Sequence, residues 1–313
     1  MTFETQYDDI KNLIKDDFGI LETEIEKLFL GGNPLNEKLL SFLTAPSKRL
    51  RPMLGFLFLR ATLGELGEIN QAQRDVLLAV ELIHNATLIH DDVIDNSPKR
   101  RNQETLNVQF DNNLAVVAGD YLLSVALEKI IKTKSFEVFG IFSSALKSAC
   151  LGEIDQYFSK FNLTTIEEYI EKSKEKTAVL FEAGILGGLI LIDEPCDEKL
   201  RHAAEAFSQN FGIAFQIRDD LINVLKSDNL KPSQNDMDSG IYTAPVIFAY
   251  EGEATISENE NIPDRIKKTN AIAKTKDLMD NYFYKSILEL RDLKENRYKR
   301  AILELIDLLK TNI

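Results

Sequence analysis

The spacing of the apolar residues constrains this chain most. They recur three and four positions apart along almost all of its 313 residues, as at Ile10, Leu13 and Ile14. This spacing places side chains on one face of an α-helix, whereas the strict alternation of a half-buried strand is scarce. We therefore predict an all-α protein of roughly ten or eleven helices, forming a single domain over residues 1–313.

Composition and charge exclude several classes of function. The formal net charge of −13 argues against binding to nucleic acid or to anionic membranes, because both attract basic surfaces. The longest apolar stretch, Ala178 to Ile192, contains Glu182 and is too short to span a bilayer. The segment from Met1 to Asp17 is acidic and lacks the pattern of a signal peptide. Since Cys150 and Cys196 are expected to be two buried thiols, we predict a cytoplasmic protein.

A first cluster of carboxylates ends an apolar helix that runs from Glu81 to Asp95. Asp91, Asp92 and Asp95 lie at its end, and Asp91 and Asp95 share one face, so they can hold a hard cation. An exposed acidic helix end would explain this string equally well. His84 lies two turns before Asp91 on the same face, where it could donate a hydrogen bond to a phosphate. A lone histidine is more often a core residue.

Basic residues flank the first cluster on both sides. The segment Lys99 to Arg101 follows it, and guanidinium groups match phosphate geometry. Upstream, Lys48 and Arg51 lie one helical turn apart. Each group alone also fits a solvated surface. Together they predict a polyphosphate site that uses local cations, because the net charge of the chain repels anions at long range.

A second cluster repeats this arrangement between Phe211 and Asn223. An apolar helix there presents Asp219 and Asp220, and Gln216 projects from the same face as Asp219. Mg²⁺ takes only one or two protein carboxylates together with waters and substrate phosphates. A site with an asparagine in place of a third carboxylate can therefore still bind the ion, and Asp219 is the predicted primary ligand.

In this order, the motifs resemble those of the trans-isoprenyl diphosphate synthases, the polyprenyl synthetase family. The matching segments are Lys48 to Pro52, His84 to Asp95, Arg100 and Arg101, Ala118 to Tyr121, Gly152 to Gln156, Lys176 to Ala178, and Phe215 to Asp220. An ordered set that covers nearly the whole chain is highly specific. The resemblance implies a helical bundle of the isoprenoid synthase type with a central substrate tunnel, and it also implies a homodimer.

The resemblance further implies a role for each matching residue. The implied metal ligands, for three Mg²⁺ ions on an allylic diphosphate, are Asp91, Asp92, Asp95, Asp219 and Asp220. The residues implied to act on that allylic diphosphate are Arg100, Lys176, Thr177, Gln216 and Lys231. The residues implied to bind isopentenyl diphosphate are Lys48, Arg51, His84 and Arg101. Farnesyl or geranylgeranyl diphosphate is the expected starter.

The implied reaction is the head-to-tail addition of isopentenyl diphosphate to an allylic cation, with Mg²⁺ assisting ionisation and a proton lost at the end. One turn before Asp91, Ala86 and Thr87 are small where short-chain members carry aromatic residues, and Ile83 lies one turn deeper. We therefore predict a long product, such as the side chain of a quinone. The segment from Ser239 to Pro245 is also similar to long-chain synthases of the solanesyl and octaprenyl type.

Four positions depart from the family pattern. Ser47 and Asn102 replace glycines, Asn223 replaces the last aspartate of the second cluster, and Ile241 stands where many members carry a diphosphate-binding lysine. Asn223 and Ile241 keep open a non-catalytic or weakly active partner subunit of a heteromeric synthase, although such subunits usually lose the first cluster.

Three other classes of function share part of this pattern. A terpene cyclase also ionises diphosphates, but it would be expected to lack the Lys48, Arg51 and His84 set for a second diphosphate. A metallophosphohydrolase, suggested by the His90 and Asp91 pair, has too few histidines available as ligands. A helical scaffold with acidic helix ends is compatible with composition alone.

Overall fold

The computed structural model describes residues 2–29, 32–101, 103–192, 197–226, 239–257 and 260–313, and it confirms the all-α prediction. The chain divides into two compact units. The first comprises Met1–Ile141, Ala183–Asp197 and Lys294–Ile302. The second comprises Phe142–Glu182, Glu198–Leu293 and Leu303–Ile313. The single domain over residues 1–313 stays a prediction.

The N-terminal half of the chain holds seven described helices and a short hairpin. The helices are α1 (Phe3–Asn12), α2 (Lys15–Phe29), α3 (Pro34–Thr44), α4 (Leu50–Leu63), α5 (Gln71–Ile94), α6 (Leu106–Gln109) and α7 (Asn112–Lys132). The antiparallel hairpin pairs β1 (Lys99–Arg100) with β2 (Gln103–Glu104).

The helices that follow along the chain are α8 (Phe136–Phe158), α9 (Ile166–Ser173), α10 (Val179–Ile190), α11 (Glu198–Lys226), α12 (Ala244–Ala249), α13 (Ile262–Lys268), α14 (Ala271–Glu289) and α15 (Arg297–Thr311). A π-helical turn, Lys174–Ala178, separates α9 from α10. The described part therefore contains more helices than the ten or eleven expected. The additional ones, such as α6 and α12, are too short to show an apolar period.

Helix α5 forms the centre of the first unit and packs along α7. Its start is fixed by a capping box, in which the Asn70 side chain accepts from the Gln73 N–H and the Gln73 side chain accepts from the Asn70 N–H. Such reciprocal capping satisfies two backbone donors that a helix otherwise leaves unpaired. On α7, the small residues Ala115, Ala118 and Gly119 are buried. Small side chains allow two helices to approach closely.

A buried ion pair ties α2 to α4 in the same unit. Asp17 is 3% exposed, and Arg60 donates to both of its carboxylate oxygens at 2.8 and 2.7 Å. The same guanidinium also donates to the Gly67 carbonyl at 2.7 Å, so most of its donors are satisfied. Bidentate geometry of this kind is what makes a desolvated pair tolerable.

The second unit is built on α11, which packs against α14. Phe207, Phe211 and Phe215 follow one another at four-residue spacing along α11 with stacked rings, and Phe283 of α14 meets Phe211 edge-on at 5.8 Å between centroids. Arg218 is 5% exposed and donates from Nε to the Leu309 carbonyl at 2.7 Å. A row of aromatic side chains therefore holds the helix that carries the second aspartate cluster.

Two further sequence predictions can be compared with the structure. Cys150 is an exposed free thiol, so the prediction that it is buried was wrong; it lies in α8, where apolar neighbours such as Leu151 and Ile154 are exposed as well, so an apolar sequence context did not indicate burial. Cys196 lies outside the described residues. Among the helices that the structure describes, none is long and apolar enough to cross a membrane.

Candidate active site

The first aspartate cluster lies at the C-terminal end of α5. Asp91 is half-buried and Asp95, one turn on, is exposed. Asp92 points in another direction and is only 2% exposed. Adjacent residues of a helix are rotated by about 100°, so two consecutive aspartates cannot share one face. The cluster therefore divides into two carboxylates on the open face and one that is buried.

The buried Asp92 is held by the segment that follows α5. Arg100 of β1 donates from Nε to Asp92 Oδ1 at 2.8 Å, and the Asn107 side chain donates to the Asp92 carbonyl at 3.3 Å. Burial raises the pKa of Asp92, and the Arg100 guanidinium opposes this rise. Arg100 and the hairpin are thereby fixed against the end of the helix that carries Asp91.

Cationic side chains gather around His84 of α5. The protein interior, followed by the positive charges of Arg51, Arg101 and Arg100, lowers the pKa of His84 well below its usual value. Its imidazole is therefore neutral at neutral pH and retains one N–H donor. The structure thus brings Arg51, His84, Arg100 and Arg101 into one electropositive region, as the sequence predicted for a polyphosphate site.

Two arginines of this region adopt left-handed backbone conformations. Arg49 (φ 46°) and Arg101 (φ 50°) lie in the part of conformational space that non-glycine residues rarely occupy. Arg49 is 9% exposed and donates to the Leu43 carbonyl at 2.7 Å. Arg101 donates to the Phe42 carbonyl at 3.3 Å, with its guanidinium 5.6 Å from the centroid of the Phe42 ring. Local strain of this type is characteristic of binding sites.

A buried carboxylate balances these charges. Glu81 of α5 is 2% exposed, and its Oε1 accepts from Asn85 Nδ2 at 3.1 Å. Burial lowers the pKa of Arg101, whereas the negative charge of Glu81 acts in the opposite direction. Glu81 is thus a buried negative charge that interacts with Arg101. The sequence had assigned it no role.

The Ala118 to Tyr121 motif contributes a glycine that makes room for His90. A Cβ at Gly119 would lie 2.2 Å from His90 Nε2, so only glycine fits there without movement of the ring. That nitrogen lies 3.2 Å from the Val116 carbonyl and 3.5 Å from Asp120 Oδ1. His90 therefore fastens the last turn of α5 to α7.

The second aspartate cluster shows the same division between an open and a buried carboxylate. Asp219 is 45% exposed in its side chain, and Arg218 lies 3.3 Å from it. Asp220 is 7% exposed and accepts from the Tyr169 hydroxyl at 2.6 Å and from Gln216 Nε2 at 2.9 Å. Burial, and then the negative charge of Asp220, raise the pKa of Tyr169 well above its usual value. Tyr169 is thus a permanent donor to Asp220.

Gln216 links this cluster to the π-helical turn. Its Oε1 accepts from the Thr177 hydroxyl at 2.6 Å, and its Nε2 donates to Asp220 Oδ1 at 2.9 Å. Single π-helical turns within α-helical segments are frequent at functional sites. The chain Thr177, Gln216, Asp220 and Tyr169 is continuous, so the orientation of each side chain is fixed by the next.

Lys176, on the same turn, is held against α8. Its Nζ lies 2.5 Å from Glu153 Oε2 and 3.2 Å from Gln156 Oε1. A Cβ at Gly152 would approach Lys176 Cγ to 2.7 Å. The glycine of the Gly152 to Gln156 motif therefore leaves the space that the Lys176 side chain occupies. Lys172, one turn earlier, has a pKa lowered by burial and then by the charge of Lys176. Two cations therefore lie close together beside the second cluster.

The remaining predicted site residues are placed as follows. Ile83 and Ala86 are fully buried on α5, and the Thr87 hydroxyl donates to the His84 carbonyl at 2.8 Å. Asn223 is exposed one turn beyond Asp219. Lys231 and Asn102 lie outside the described residues.

The donor set suits a hard divalent cation. On α5, Asp91 and Asp95 present carboxylate oxygens on the open helix face, and on α11 Asp219 does the same; carboxylate oxygens are the ligands that Mg²⁺ prefers. Within the described ranges, no three His, Cys, Asp or Glu side chains converge closely enough to form a complete cage. Such an arrangement fits Mg²⁺, because this ion is commonly held by one or two carboxylates, by waters and by substrate phosphates.

Sequence reasoning missed the residues that orient the predicted ones. Tyr169, Glu153 and Arg49 each touch or neighbour a predicted residue, yet the sequence assigned none of them a role; Arg49 lies within the Lys48 to Pro52 motif, and Tyr169 lies in no motif. Glu153 lies within a motif that was recognised without a role. Tyr169 could have been found only from the fold, because it is 51 residues from Asp220 in the chain.

Comparison with solved structures identifies the fold as that of the helical isoprenoid synthases. The heptaprenyl diphosphate synthase of Staphylococcus aureus matches with a TM-score of 0.87 and 25% identity, over 96% of this chain and 98% of that one. A decaprenyl diphosphate synthase from Rhodobacter capsulatus also gives 0.87, with 26% identity over 98% and 99% of the two chains.

Sequence comparisons lead to the family itself. A model of the polyprenyl synthetase family matches residues 33–282. Heptaprenyl diphosphate synthase component 2 of Bacillus subtilis (strain 168) is 31% identical over 93% of this chain and 85% of its own length. Solanesyl diphosphate synthase 2, chloroplastic, of Arabidopsis thaliana is 34% identical over 82% of this chain and 60% of its own. The chain belongs to the polyprenyl synthetase family and is a prenyltransferase of isoprenoid biosynthesis.

The close approach of α11 to the π-helical turn generates a testable prediction. A Cβ at Gly212 would lie 2.4 Å from Ala178 Cα, so Gly212→Ala forces backbone movement beside Thr177 and Gln216. Overpacking of this kind costs about 1–3 kcal/mol, and we expect the melting temperature to fall by a few degrees and prenyltransferase activity to fall with it. Differential scanning calorimetry and a turnover assay measure both effects.

Gly19→Ala is the matched control. Gly19 lies in helix α2, and a Cβ there meets no other atom within 4 Å. Because alanine favours the helix over glycine, this variant should be as stable as the parent or more so. Equal behaviour of the two variants would contradict the proposed close approach.

Proposed function

We propose that this chain is a trans-polyprenyl diphosphate synthase that adds isopentenyl diphosphate head-to-tail to an allylic diphosphate. The observation that carries the proposal is the same division in both aspartate clusters, where one carboxylate is open and its neighbour is buried and hydrogen-bonded. A surface acidic helix end would not need such support. Asp91, Asp95 and Asp219 are the proposed magnesium ligands, and Asp92 and Asp220 orient them.

When bound, Mg²⁺ supplies electrostatic stabilisation of the departing diphosphate. Arg100 and Lys176 add fixed positive charge for the same anion, and Thr177 and Gln216 hold a polar surface of defined orientation beside Asp220. Preorganised groups of this kind are effective because they need no rearrangement when charge develops. Breaking the allylic carbon–oxygen bond then gives a delocalised cation, and the diphosphate that is released accepts the proton lost after condensation.

Isopentenyl diphosphate is proposed to bind through Lys48, Arg51, His84 and Arg101. The neutral imidazole of His84 offers one donor among the arginines that depress its pKa. Glu81 keeps the cations from repelling one another without neutralising them all. The π-bond of isopentenyl diphosphate is the nucleophile, so this site needs positioning rather than a catalytic base.

The first test asks whether the aspartate clusters carry the activity. Purified protein is incubated with Mg²⁺, farnesyl or geranylgeranyl diphosphate and labelled isopentenyl diphosphate, and the products are separated by chromatography. We expect Asp91→Asn and Asp219→Asn each to lower kcat by about 100-fold or more, because loss of a ligand charge weakens metal binding. Asp111→Asn is the matched control: Asp111 caps α7, and asparagine caps a helix as well as aspartate does.

The same assay separates the alternatives. A terpene cyclase would release a product without the labelled five-carbon unit. A non-catalytic partner subunit would give no turnover alone, in agreement with the departures at Asn223 and Ile241. Full activity of Asp91→Asn would contradict the proposed metal site.

A long-chain product is the proposed specificity. Ala86, five positions before Asp91, is fully buried and small, and the solanesyl, heptaprenyl and decaprenyl names of the relatives support a long tail. The tail is proposed to run along α5 past Ala86 and Thr87 towards Ile83. Apolar walls along this path would also exclude water from the cation.

Enlarging Ala86 should shorten the product. The phenyl ring of Ala86→Phe would block the proposed path, so we expect prenyl chains several isoprene units shorter, with a graded effect for Ala86→Leu. Reversed-phase chromatography of the dephosphorylated products measures chain length. Ala86→Ser, which adds little volume, should leave the length unchanged, and an unchanged length in Ala86→Phe would contradict this path.

A homodimer is the proposed assembly. Helix α7 exposes Val117 (57%), Tyr121 (40%) and Ile131 (66%) on one face, and an exposed apolar helix face of this kind marks an interaction surface. The word component in the name of the Bacillus subtilis relative raises the alternative of a heteromeric assembly. A second copy of this chain is the simpler partner, because the same face is present on both copies.

Sedimentation equilibrium tests the assembly. The parent protein should sediment at twice the chain mass of 35.5 kDa, whereas Val117→Asp and Ile131→Asp should sediment as monomers because a charge is placed in the apolar face. Leu66→Asp is the control, since Leu66 is 99% exposed and lies away from α7 in the chain. A monomeric parent would contradict the homodimer.

A further inference from the structure

The segment that carries Lys48 is fastened at several points. It runs between α3 and α4, where Arg49 has a left-handed backbone and donates to the Leu43 carbonyl at 2.7 Å. On the other side, the Tyr7 hydroxyl of α1 donates a short hydrogen bond to the Lys48 carbonyl. The backbone of an exposed lysine is therefore fixed from both sides.

The Lys48 side chain is also held by α1. Its Nζ lies 4.0 Å from the centroid of the Phe3 ring, well within the range of a cation–π interaction. Phe3 and Tyr7 are i and i+4, and their rings stack at 5.8 Å with an interplanar angle of 15°. The Thr2 side chain accepts from the Thr5 N–H and caps the helix immediately before Phe3. Helix α1 thus presents two aromatic rings that contact one lysine through its backbone and its ammonium group.

Tyr7 is suited to a permanent role. It is 6% exposed, and burial, followed by the negative charge of Glu81, raises its pKa. The hydroxyl therefore remains a hydrogen-bond donor at neutral pH. A long lysine side chain loses much rotamer entropy when it is ordered, and a ring that orders it before the substrate arrives reduces that cost.

We propose that Phe3 and Tyr7 form an aromatic clamp that positions Lys48 for the diphosphate of isopentenyl diphosphate. This inference rests on the proposed role of Lys48. The ring covers one side of the ammonium group, and the N–H donors on its other sides remain directed away from the ring. Phe3 and Tyr7 are positioning residues, because they act on the substrate only through Lys48.

The clamp predicts a specific change in kinetics. Phe3→Leu keeps an apolar side chain and removes the ring, so the KM and the dissociation constant for isopentenyl diphosphate should rise by about 2- to 5-fold, the range expected for an exposed cation–π contact. The KM for the allylic substrate and kcat should change by less than about 2-fold on the same grounds. Phe3→Trp should retain parent values, because tryptophan binds cations best.

Two further variants isolate the contact. Tyr7→Phe keeps the ring stack and removes only the hydroxyl, so it should also raise the KM for isopentenyl diphosphate. Tyr282→Leu is the matched control: it removes a ring that lies 4.3 Å from Lys285 Nζ and should leave the kinetics unchanged. In a Lys48→Met background, Phe3→Leu should have no additional effect, because the cation it orders is gone.

The outcomes separate the clamp from the site it serves. If Lys48→Met leaves the KM for isopentenyl diphosphate unchanged, the proposed role of Lys48 is wrong, and the clamp is then wrong as well. If Lys48→Met raises this KM while Phe3→Leu leaves it unchanged or lowers it, the clamp alone is overturned. Equal behaviour of Phe3→Trp and Phe3→Leu would likewise overturn it, because the ring would then have no role.

Discussion

The structure depends on burying one carboxylate of each adjacent aspartate pair. Asp92 can lie in the protein interior only because Arg100 neutralises it at 2.8 Å, since an isolated buried charge is strongly unfavourable. This pair fixes the rotation of the last turn of α5, and the rotation decides which face Asp91 and Asp95 present. The hairpin that carries Arg100 and Arg101 is positioned by the same contact, so the proposed metal ligands of α5 and the proposed phosphate ligands of the hairpin share one anchor.

The second cluster also buries one of its two aspartates, but it does so through different hydrogen-bond donors. The Asp220 carboxylate accepts hydrogen bonds from the Tyr169 hydroxyl and from the Gln216 amide. Both donors are neutral groups, and a cationic contact of this cluster is made to the open carboxylate instead, where Arg218 lies 3.3 Å from Asp219. The two clusters are therefore built differently, and the asparagine at position 223 sets the second cluster apart in the sequence as well.

Much of the fold and part of the site could be predicted from the sequence, because these features depend on residues close together in the chain. Apolar periodicity identified the long helices, and the i to i+4 spacing of Asp91 and Asp95 placed both on one face, because both are properties of a single helix. The different burial of Asp91 and Asp92 could not be predicted, since it depends on the hairpin and on its Arg100, which follows Asp92 by eight residues. The roles of Tyr169 and Glu81 were missed because their partners come from elements distant in the chain or from side chains whose direction the sequence does not reveal. Short helices such as α6 escaped detection because four residues show no period.

The contact between Lys176 and Glu153 has a further consequence for selectivity. An anion that approaches Lys176 must displace a carboxylate already 2.5 Å from its ammonium group. An ion pair with partial solvent exposure is weak, so a highly charged ligand exchanges with it easily, whereas a weakly charged one gains little from the exchange. The internal carboxylate thus competes with any anion for Lys176, and an anion gains more from the exchange the more negative charge it carries.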